Sequence, residues 1–493
     1  MVQKSIENNE TSPLNEIKYV PVDNKNVGEL KPLQEIKRPD TLYLFFSVMA
    51  SLTLMLVTGS TWAWTAPALI KLLSNDTEVN PLGKPITTLE ISMLVSIPAL
   101  TSVMGSLLPL TSDVLGRKKS MLYMTLGSFL SQIGLAFSTN IPAMIICSSV
   151  FGIFISGQLI ILQIYITEIC EDHNRAKYGC IMSFFLPIGE LYTYILGPLF
   201  SFKYFTLLVN LPFIFFLLFV FAPESPMFLL SKGRKEECIK ILKKLRSNKT
   251  NAEIDIDYYK ISQSLHSGND DTQSNFFTVF QTKEGRIGMF LAIFPILGQC
   301  FSGVPIIMLI IAPIFDEAGT SLSGEHFAII AGIFKVCVST ITSLLVEKTG
   351  RRPMLLLSSA GSGIAISFLG IFFYLKHINS PLVIYIQWLP LVSLLFYFFF
   401  FALGLGPLPS AVMGELFPTD IRSSATSIIS SISCVIFAGY MFLFPLFADL
   451  VGLYWVMWTF GISCLGTTLL VYVFLPEIKG KSIHEIQELL KNY

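Results

Sequence analysis

Charge is what this 493-residue chain lacks most. Only 14% of its residues are Asp, Glu, Lys or Arg, against roughly a quarter in soluble domains. A water-soluble enzyme of this size would need far more polar surface. The 34 basic and 34 acidic residues cancel, and no long basic tract exists, so no nucleic-acid partner is expected. The eight cysteines are scattered, mostly inside apolar runs, without the spacing of a metal site or a disulfide framework. They read as small buried hydrophobes. His173, His266, His326, His377 and His484 all fall between the apolar runs, which argues against a histidine proton relay. No phosphate-cradling glycine loop, metal-ligand cluster or nucleophile motif occurs. No catalytic residue, cofactor or metal is therefore expected. The first 40 residues are polar and lack the apolar stretch of a cleaved signal peptide; they read as a flexible cytoplasmic tail.

Apolar residues are present in excess. They make up 52% of the chain, with 41 Phe and a mean hydropathy of +0.63. A hydrocarbon layer of ~30 Å needs about 20 apolar residues in a helix. Twelve such runs occur, near 42–66, 89–110, 120–138, 142–166, 178–200, 204–222, 288–312, 327–346, 354–375, 383–411, 424–447 and 452–475. The expected fold is an all-α membrane protein of twelve transmembrane helices. The expected divisions are a tail at 1–40, a six-helix half at 41–222, a linker at 223–287, a second half at 288–475 and a tail at 476–493.

Orientation follows from the basic residues, which favour the cytoplasmic side. With both termini inside, only Lys71, Lys84, Lys203 and Lys376 fall in outer loops and Lys335 within a span, leaving 29 of 34 basic residues inside. The linker carries Lys232, Arg234, Lys235, Lys240, Lys243, Lys244 and Arg246, with Ile239, Leu242 and Leu245 at helical spacing. This predicts short amphipathic surface helices, followed by a mobile polar stretch near 262–275.

The two halves repeat a set of charged marks. Asp113, Gly116 and Arg117 follow the second run; Glu347, Gly350 and Arg351 follow the eighth. Glu168 and Arg175 end the fourth run, and Glu415 and Arg422, with the same spacing, end the tenth. Pro223-Glu224 follows the sixth run and Pro476-Glu477 the twelfth. Three marks in register imply a parallel duplication, a transporter plan with the solute near the midplane between the halves. Carboxylates and arginines at helix ends can pair across helices when the inner side is closed, and such charge-assisted bonds strengthen when partly desolvated. A gate would therefore use Asp113, Arg117, Glu168, Arg175 and Glu224 in one half. Its counterpart would use Glu347, Arg351, Glu415, Arg422 and Glu477 in the other. The plainer alternative is that these residues only anchor topology.

Two charges lie inside runs, Glu190 in the fifth and Lys335 in the eighth. A charge at membrane depth costs ~2.5–3.5 kcal/mol on insertion scales and should find a partner. Ser183, Glu190, Tyr194 and Gly197 share one helical face, and Gly332, Lys335, Ser339 and Thr342 another. A Glu190–Lys335 ion pair across a central cavity is predicted. It could fix helix register or handle solute or protons, and the sequence leaves both open. Asn75-Asp76-Thr77 is a glycosylation acceptor in the first outer loop.

At this point a resemblance becomes specific. The segment Leu115–Ser120, Pro223–Pro226, Gly350–Leu355, Gly406–Pro409, Gly414–Thr419 and Pro476–Ser482 together resemble the marks of the sugar porter family of the major facilitator superfamily, from about 41 to 488. Trp64-Thr65-Ala66-Pro67 is similar to the insect facilitated trehalose transporter branch. The resemblance implies two six-helix halves and sugar movement by alternating access. It carries solute contacts onto Ser183, Gln299, Lys335, Pro407, Ser410 and Cys434. The match is incomplete. Ser183, Cys300, Pro305, Lys335, Ser410 and Cys434 stand where the family has amides or tryptophans, and Pro109 and Ser343 where it has glycines. Trp62, Trp64, Gln158, Gln163, Tyr192 and Tyr194 are candidates to rebuild a sugar site. Ser60 stands where family symporters often carry Asp, which favours facilitated diffusion. The expected partners are the lipid bilayer and a small polar solute, with the cell membrane as location. Competing readings are a carrier of a charged or non-sugar solute through Glu190 and Lys335, and a membrane sensor that binds without transporting.

Overall fold

The computed structural model describes residues 39–269, 278–281, 283–304, 306–308, 324–345, 349–417, 419–477 and 483–491. The tail 1–38 and the polar stretch 270–277 lie outside them. Among the described residues there is no strand. Eleven helices are long and apolar enough to cross a membrane by length and composition. The third apolar run of the sequence also forms a 20-residue helix, Arg117–Ala136. Its three leading cations, three serines and Gln132 leave it more polar than the other eleven. The long helices are numbered below by the apolar runs they contain.

Each helix starts and stops for local reasons. The first, Leu42–Ala63, is capped by the Thr41 hydroxyl, which accepts the Leu44 N–H at 3.2 Å. It breaks at Trp64 and resumes as Thr65–Leu73, because Pro67 has no N–H to return to the preceding turn. The second helix, Thr88–Gly105, opens with a capping box in which Glu90 accepts the Thr87 N–H at 2.8 Å. The tenth is split into Leu389–Leu403 and Leu408–Leu416. Pro407 and Pro409 supply no donors there, and the Ser358 hydroxyl accepts the freed Leu405 N–H at 2.7 Å.

Helices within a half approach closely where side chains are smallest. A Cβ on Gly189 of the fifth helix would collide with the Leu56 carbonyl of the first, and one on Gly59 with the Leu186 carbonyl. Small residues at crossings are how helices gain contact where lipid supplies no hydrophobic drive. Between the halves, the second helix packs on the eleventh and the fifth on the eighth.

The linker folds onto the first half. Helices Pro226–Ser231, Lys235–Leu245 and Asn251–Asn269 follow one another. The buried face of Lys235–Leu245 is Cys238, Leu242 and Leu245, one position round from the predicted stripe, with Ile239 half-buried. The stretch from 262 to 269, expected to be mobile, is helix. It continues a helix that Asp257 pins by ion pairs to Arg246 at 2.6 Å and Lys249 at 2.9 Å.

The buried cores define two ends of the bundle. At the tail end, where the linker packs, the first half has its own cluster, running from Leu44 to Leu245. The second half has another, running from Val279 to Leu490. At the far end one cluster joins both halves: Ala63, Ala66 and Tyr194 pack with Val304, Phe327, Met441 and Phe460 among others.

Candidate functional site

The predicted pair forms. Lys335 on the eighth helix (Gly324–Leu345) donates through Nζ to Glu190 Oε2 on the fifth (Asp172–Leu199) at 2.6 Å. The Glu190 side chain is 6% exposed and that of Lys335 17%, so the bond is largely desolvated and joins the two halves. The helices can meet there because Gly332, one turn before Lys335, has no side chain. A Cβ on it would lie 3.1 Å from Leu191 and 3.2 Å from Tyr194. Tyr194 is buried and donates to Met308 Sδ at 3.3 Å, a second contact between the halves. Nearer the far end, Thr88 Oγ1 donates to Asp449 Oδ2, linking the second and eleventh helices.

A second group sits inside the second half. Gln299 Nε2 donates to the Gly406 carbonyl at 2.7 Å, and Ser410 Oγ to the Pro407 carbonyl at 3.1 Å. Pro407 and Ser410 are exposed. The Gln299 amide therefore braces the break in the tenth helix, with its nitrogen already engaged. Cys434 is half-buried beside Ser102 of the second helix. The side chain of Ser183 and all of Pro305 lie outside the described residues.

The candidates for a rebuilt sugar site divide. Trp64 Nε1 donates to Thr206 Oγ1 at 2.9 Å, and Gln158 Nε2 donates to Thr125 Oγ1; both side chains are buried in helix packing of the first half. Tyr192 donates to the Leu208 carbonyl at 2.8 Å. Trp62 and Gln163 are exposed. Ser60 is buried, donating to the Val57 carbonyl at 2.9 Å.

At the tail end the repeated marks build the same device twice. Glu224 Oε1 accepts the backbone N–H of Lys118 at 3.0 Å. Glu477 accepts those of Arg351 at 3.1 Å and Arg352 at 3.2 Å. Each carboxylate thus caps the start of the third or ninth helix, where unpaired N–H groups and the helix dipole favour a negative charge. Among the interactions described for it, Glu224 meets backbone donors, not the arginine expected from the sequence, because its loop returns it to the mouth of the helix. Gly116 holds φ at +98° there, a conformation that favours glycine, and a Cβ on it would strike Glu224.

The arginine-to-carboxylate pair occurs beside this cap. Arg117 donates to both oxygens of Glu168, through Nε at 3.3 and 3.1 Å and Nη2 at 3.1 Å, and to Asp113 at 2.9 Å. Glu347 and the side chains of Arg175, Glu415 and Arg422 lie outside the described residues.

A neighbouring network carried no signal in the sequence. Lys249 of the linker reaches Glu171, at the start of the fifth helix, at 2.7 Å, and Asp40 accepts from Lys177 at 2.6 Å, Asn174 at 2.8 Å and Tyr178 at 3.1 Å. Burial would raise the Asp40 carboxyl, but these donors outweigh it and hold it below the usual value. Asn75 is exposed in the turn after the first helix.

Residues 45–490 match the family described as Sugar (and other) transporter. The chain belongs to that family. Its similarity to facilitated trehalose transporter Tret1 of Anopheles gambiae is 28% identity over 481 residues, covering 95% of this chain and 59% of that one. Trehalose transporter 1 of Drosophila melanogaster is 28% identical over 482 residues, covering 95% and 55%. The chain thus spans little more than half the length of these relatives. In fold it is similar to the inward open conformation of the xylose transporter XylE from E. coli, with TM-score 0.74 and 22% identity over 91% of this chain and all of that one. A looser likeness, TM-score 0.53 at 15% identity, is to the human organic anion transporter MFSD10, covering 87% of this chain and 98% of that one. Family membership makes the protein a multi-pass membrane protein of transporter descent, not an enzyme.

Proposed function

We propose that the protein carries a sugar, trehalose or a hexose, across the cell membrane by alternating access and facilitated diffusion, with both termini cytoplasmic. The observation that carries this reading is the asymmetry of the contacts between halves. One buried cluster and the Glu190–Lys335 pair join them at the far end, while each half keeps its own core at the tail end. Two rigid halves hinged in this way open a path to one side at a time. Glu190 and Lys335 act as the latch of the far end and face the solute path. Ser183 on the fifth helix and Gln299, Pro407, Ser410 and Cys434 of the second half line the path. Arg117 with Asp113 and Glu168, and the caps Glu224 and Glu477, hold each half rigid at the tail end. Arg175, Glu347, Arg351, Glu415 and Arg422 complete the gate. Asn75 on its exposed turn is the glycosylation acceptor.

The sugar assignment rests on the family and on the trehalose transporters it resembles. The latch favours a second reading, a solute with charge, because an ion pair recognises charge better than hydroxyls. Uptake of radiolabelled trehalose, glucose and a panel of organic ions into proteoliposomes of purified protein separates the two. Sugar uptake competed by unlabelled sugar supports the first. Uptake of an ion alone supports the second, and binding without uptake of any solute contradicts both.

A further inference from the structure

The first half holds a cavity of about 570 Å³ at its tail end that the transport path does not use. It lies between the start of the third helix and the linker helices Pro226–Ser231 and Lys235–Leu245. Lys118, Lys119, Lys232 and Arg234 line it together with two carboxylates, Glu224 and Glu237. Glu237 is matched by Arg234, whose Nε donates to it at 2.8 Å. Glu224 is engaged by the backbone N–H groups of Lys118 and Ser225, both at 3.0 Å. The three lysines form no ion pair with a described side chain. Lys232 Nζ instead lies 5.8 Å above the Phe228 ring.

The rest of the lining is apolar: Val114, Leu115, Leu122, Leu229 and Ile241. Val114 is 71% and Leu115 47% exposed at the rim. Lys118 feels the Glu224 charge, but four cations against two carboxylates leave the lining with a net positive charge that calls for an anion, and exposed aliphatic side chains beside it call for hydrocarbon. A free phosphate or sulfate would use only the first feature. The level is also right, because the third helix begins here, where its cations meet its apolar length.

We propose that this cavity binds an anionic phospholipid of the surrounding bilayer, its phosphate held by Lys118, Lys119 and Lys232 and its acyl chains lying along Val114, Leu115 and Leu122. Because Lys118 and Lys119 belong to the bundle and Lys232 to the linker, the bound lipid bridges the two.

The test uses the full-length protein in neutral detergent and three probes at equal concentration: dioctanoyl phosphatidylglycerol, dioctanoyl phosphatidylcholine and inorganic phosphate. Binding is read by native mass spectrometry and by competition for a fluorescent anionic lipid. Phosphatidylglycerol should bind and compete, and the other two should not. Each lysine near an anionic headgroup supplies about five-fold in affinity. Lys232→Gln, on the exposed linker, should therefore lose about five-fold, and Lys118→Gln, Lys119→Gln and Lys232→Gln combined on the order of a hundredfold. Leu115→Ser should weaken lipid binding with all three lysines intact. Unchanged binding in Lys232→Gln and Leu115→Ser would overturn the proposal even if the triple variant fails to fold. Competition by inorganic phosphate as strong as by the lipid would replace it with a soluble-anion site.

Discussion

The two ends of the bundle are held together by different means. At the far end the halves share a buried apolar cluster, a desolvated ion pair and the Thr88–Asp449 bond. At the tail end the charges are more numerous, yet every ion pair described there lies within the first half or its linker. Among the described residues, the charge pairs of the tail end lie within the first half and its linker, and the ion pair between halves is Glu190–Lys335. In the proposed mechanism tail-end charges stiffen a half, and the buried contacts of the far end set which way the path opens. A buried pair with one member removed costs more than a pair never made, and among the described ion pairs the latch is the one that joins the halves.

The comparison can be sharpened by substitution. The largest effect is expected at the latch. Glu190→Leu or Lys335→Met alone should destabilise the purified protein by about 3–5 kcal/mol, seen as a lower thermal midpoint and a lower monodisperse yield. The double variant should recover much of that loss; additive losses would mean that the two residues do not act as a pair. Next comes Arg117→Gln at the tail end, which strands the buried Glu168 carboxylate. The Arg117 and Glu168 side chains are 13% and 7% exposed, as buried as the latch pair, so a loss of about 3 kcal/mol is expected in the same melting assay. If that loss exceeded the latch variants', the ranking of the two ends would be reversed.

The duplicated caps come third. Glu224→Ala and Glu477→Ala should each cost about 1 kcal/mol, the usual value of a lost helix cap. Hydrogen exchange should localise the loosening to the first turn of the third helix in one case and of the ninth in the other. Loosening elsewhere would argue against equivalent roles in the two halves. The smallest effect is at Asp40. Its carboxyl is held low in the folded protein, so its contribution is present above the ordinary carboxylate value and lost as pH falls through the folded-state value. Asp40→Asn should lower stability slightly at neutral pH and flatten the acid side of a stability-against-pH curve, the variant and the parent converging at low pH.

The fold was legible because a bilayer makes one demand of every span, about 20 apolar residues. That demand left eleven clear signals and one weak one, the third helix, whose Ser128 and Ser131 hydroxyls donate to carbonyls of their own helix. Glu190 and Lys335 were legible for the same reason, since a charge within an apolar run must find a partner. Charges outside the runs obey no such rule. The sequence suggested an arginine partner for Glu224, and its loop instead returns it to backbone donors. Arg246, Lys249, Glu171 and Asp257 look like ordinary loop charges until the linker folds onto the fifth helix. Trp64 and Gln158 have the chemistry of a sugar site, but the Trp64 Nε1 and Gln158 Nε2 donors are engaged in helix packing. Polar residues inside a bundle serve helix contacts and solute alike, and only their neighbours tell which.

The central claim is that the far-end contacts must part during transport. Thr88→Cys and Asp449→Cys, combined with Cys337→Ser to remove an exposed thiol, place two cysteines at a bond joining the far ends of the second and eleventh helices. A short bifunctional thiol reagent should cross-link them in the resting protein. Uptake into proteoliposomes should then fall to background and return when a cleavable form of the reagent is reduced. Full uptake with the cross-link demonstrably in place would contradict the account.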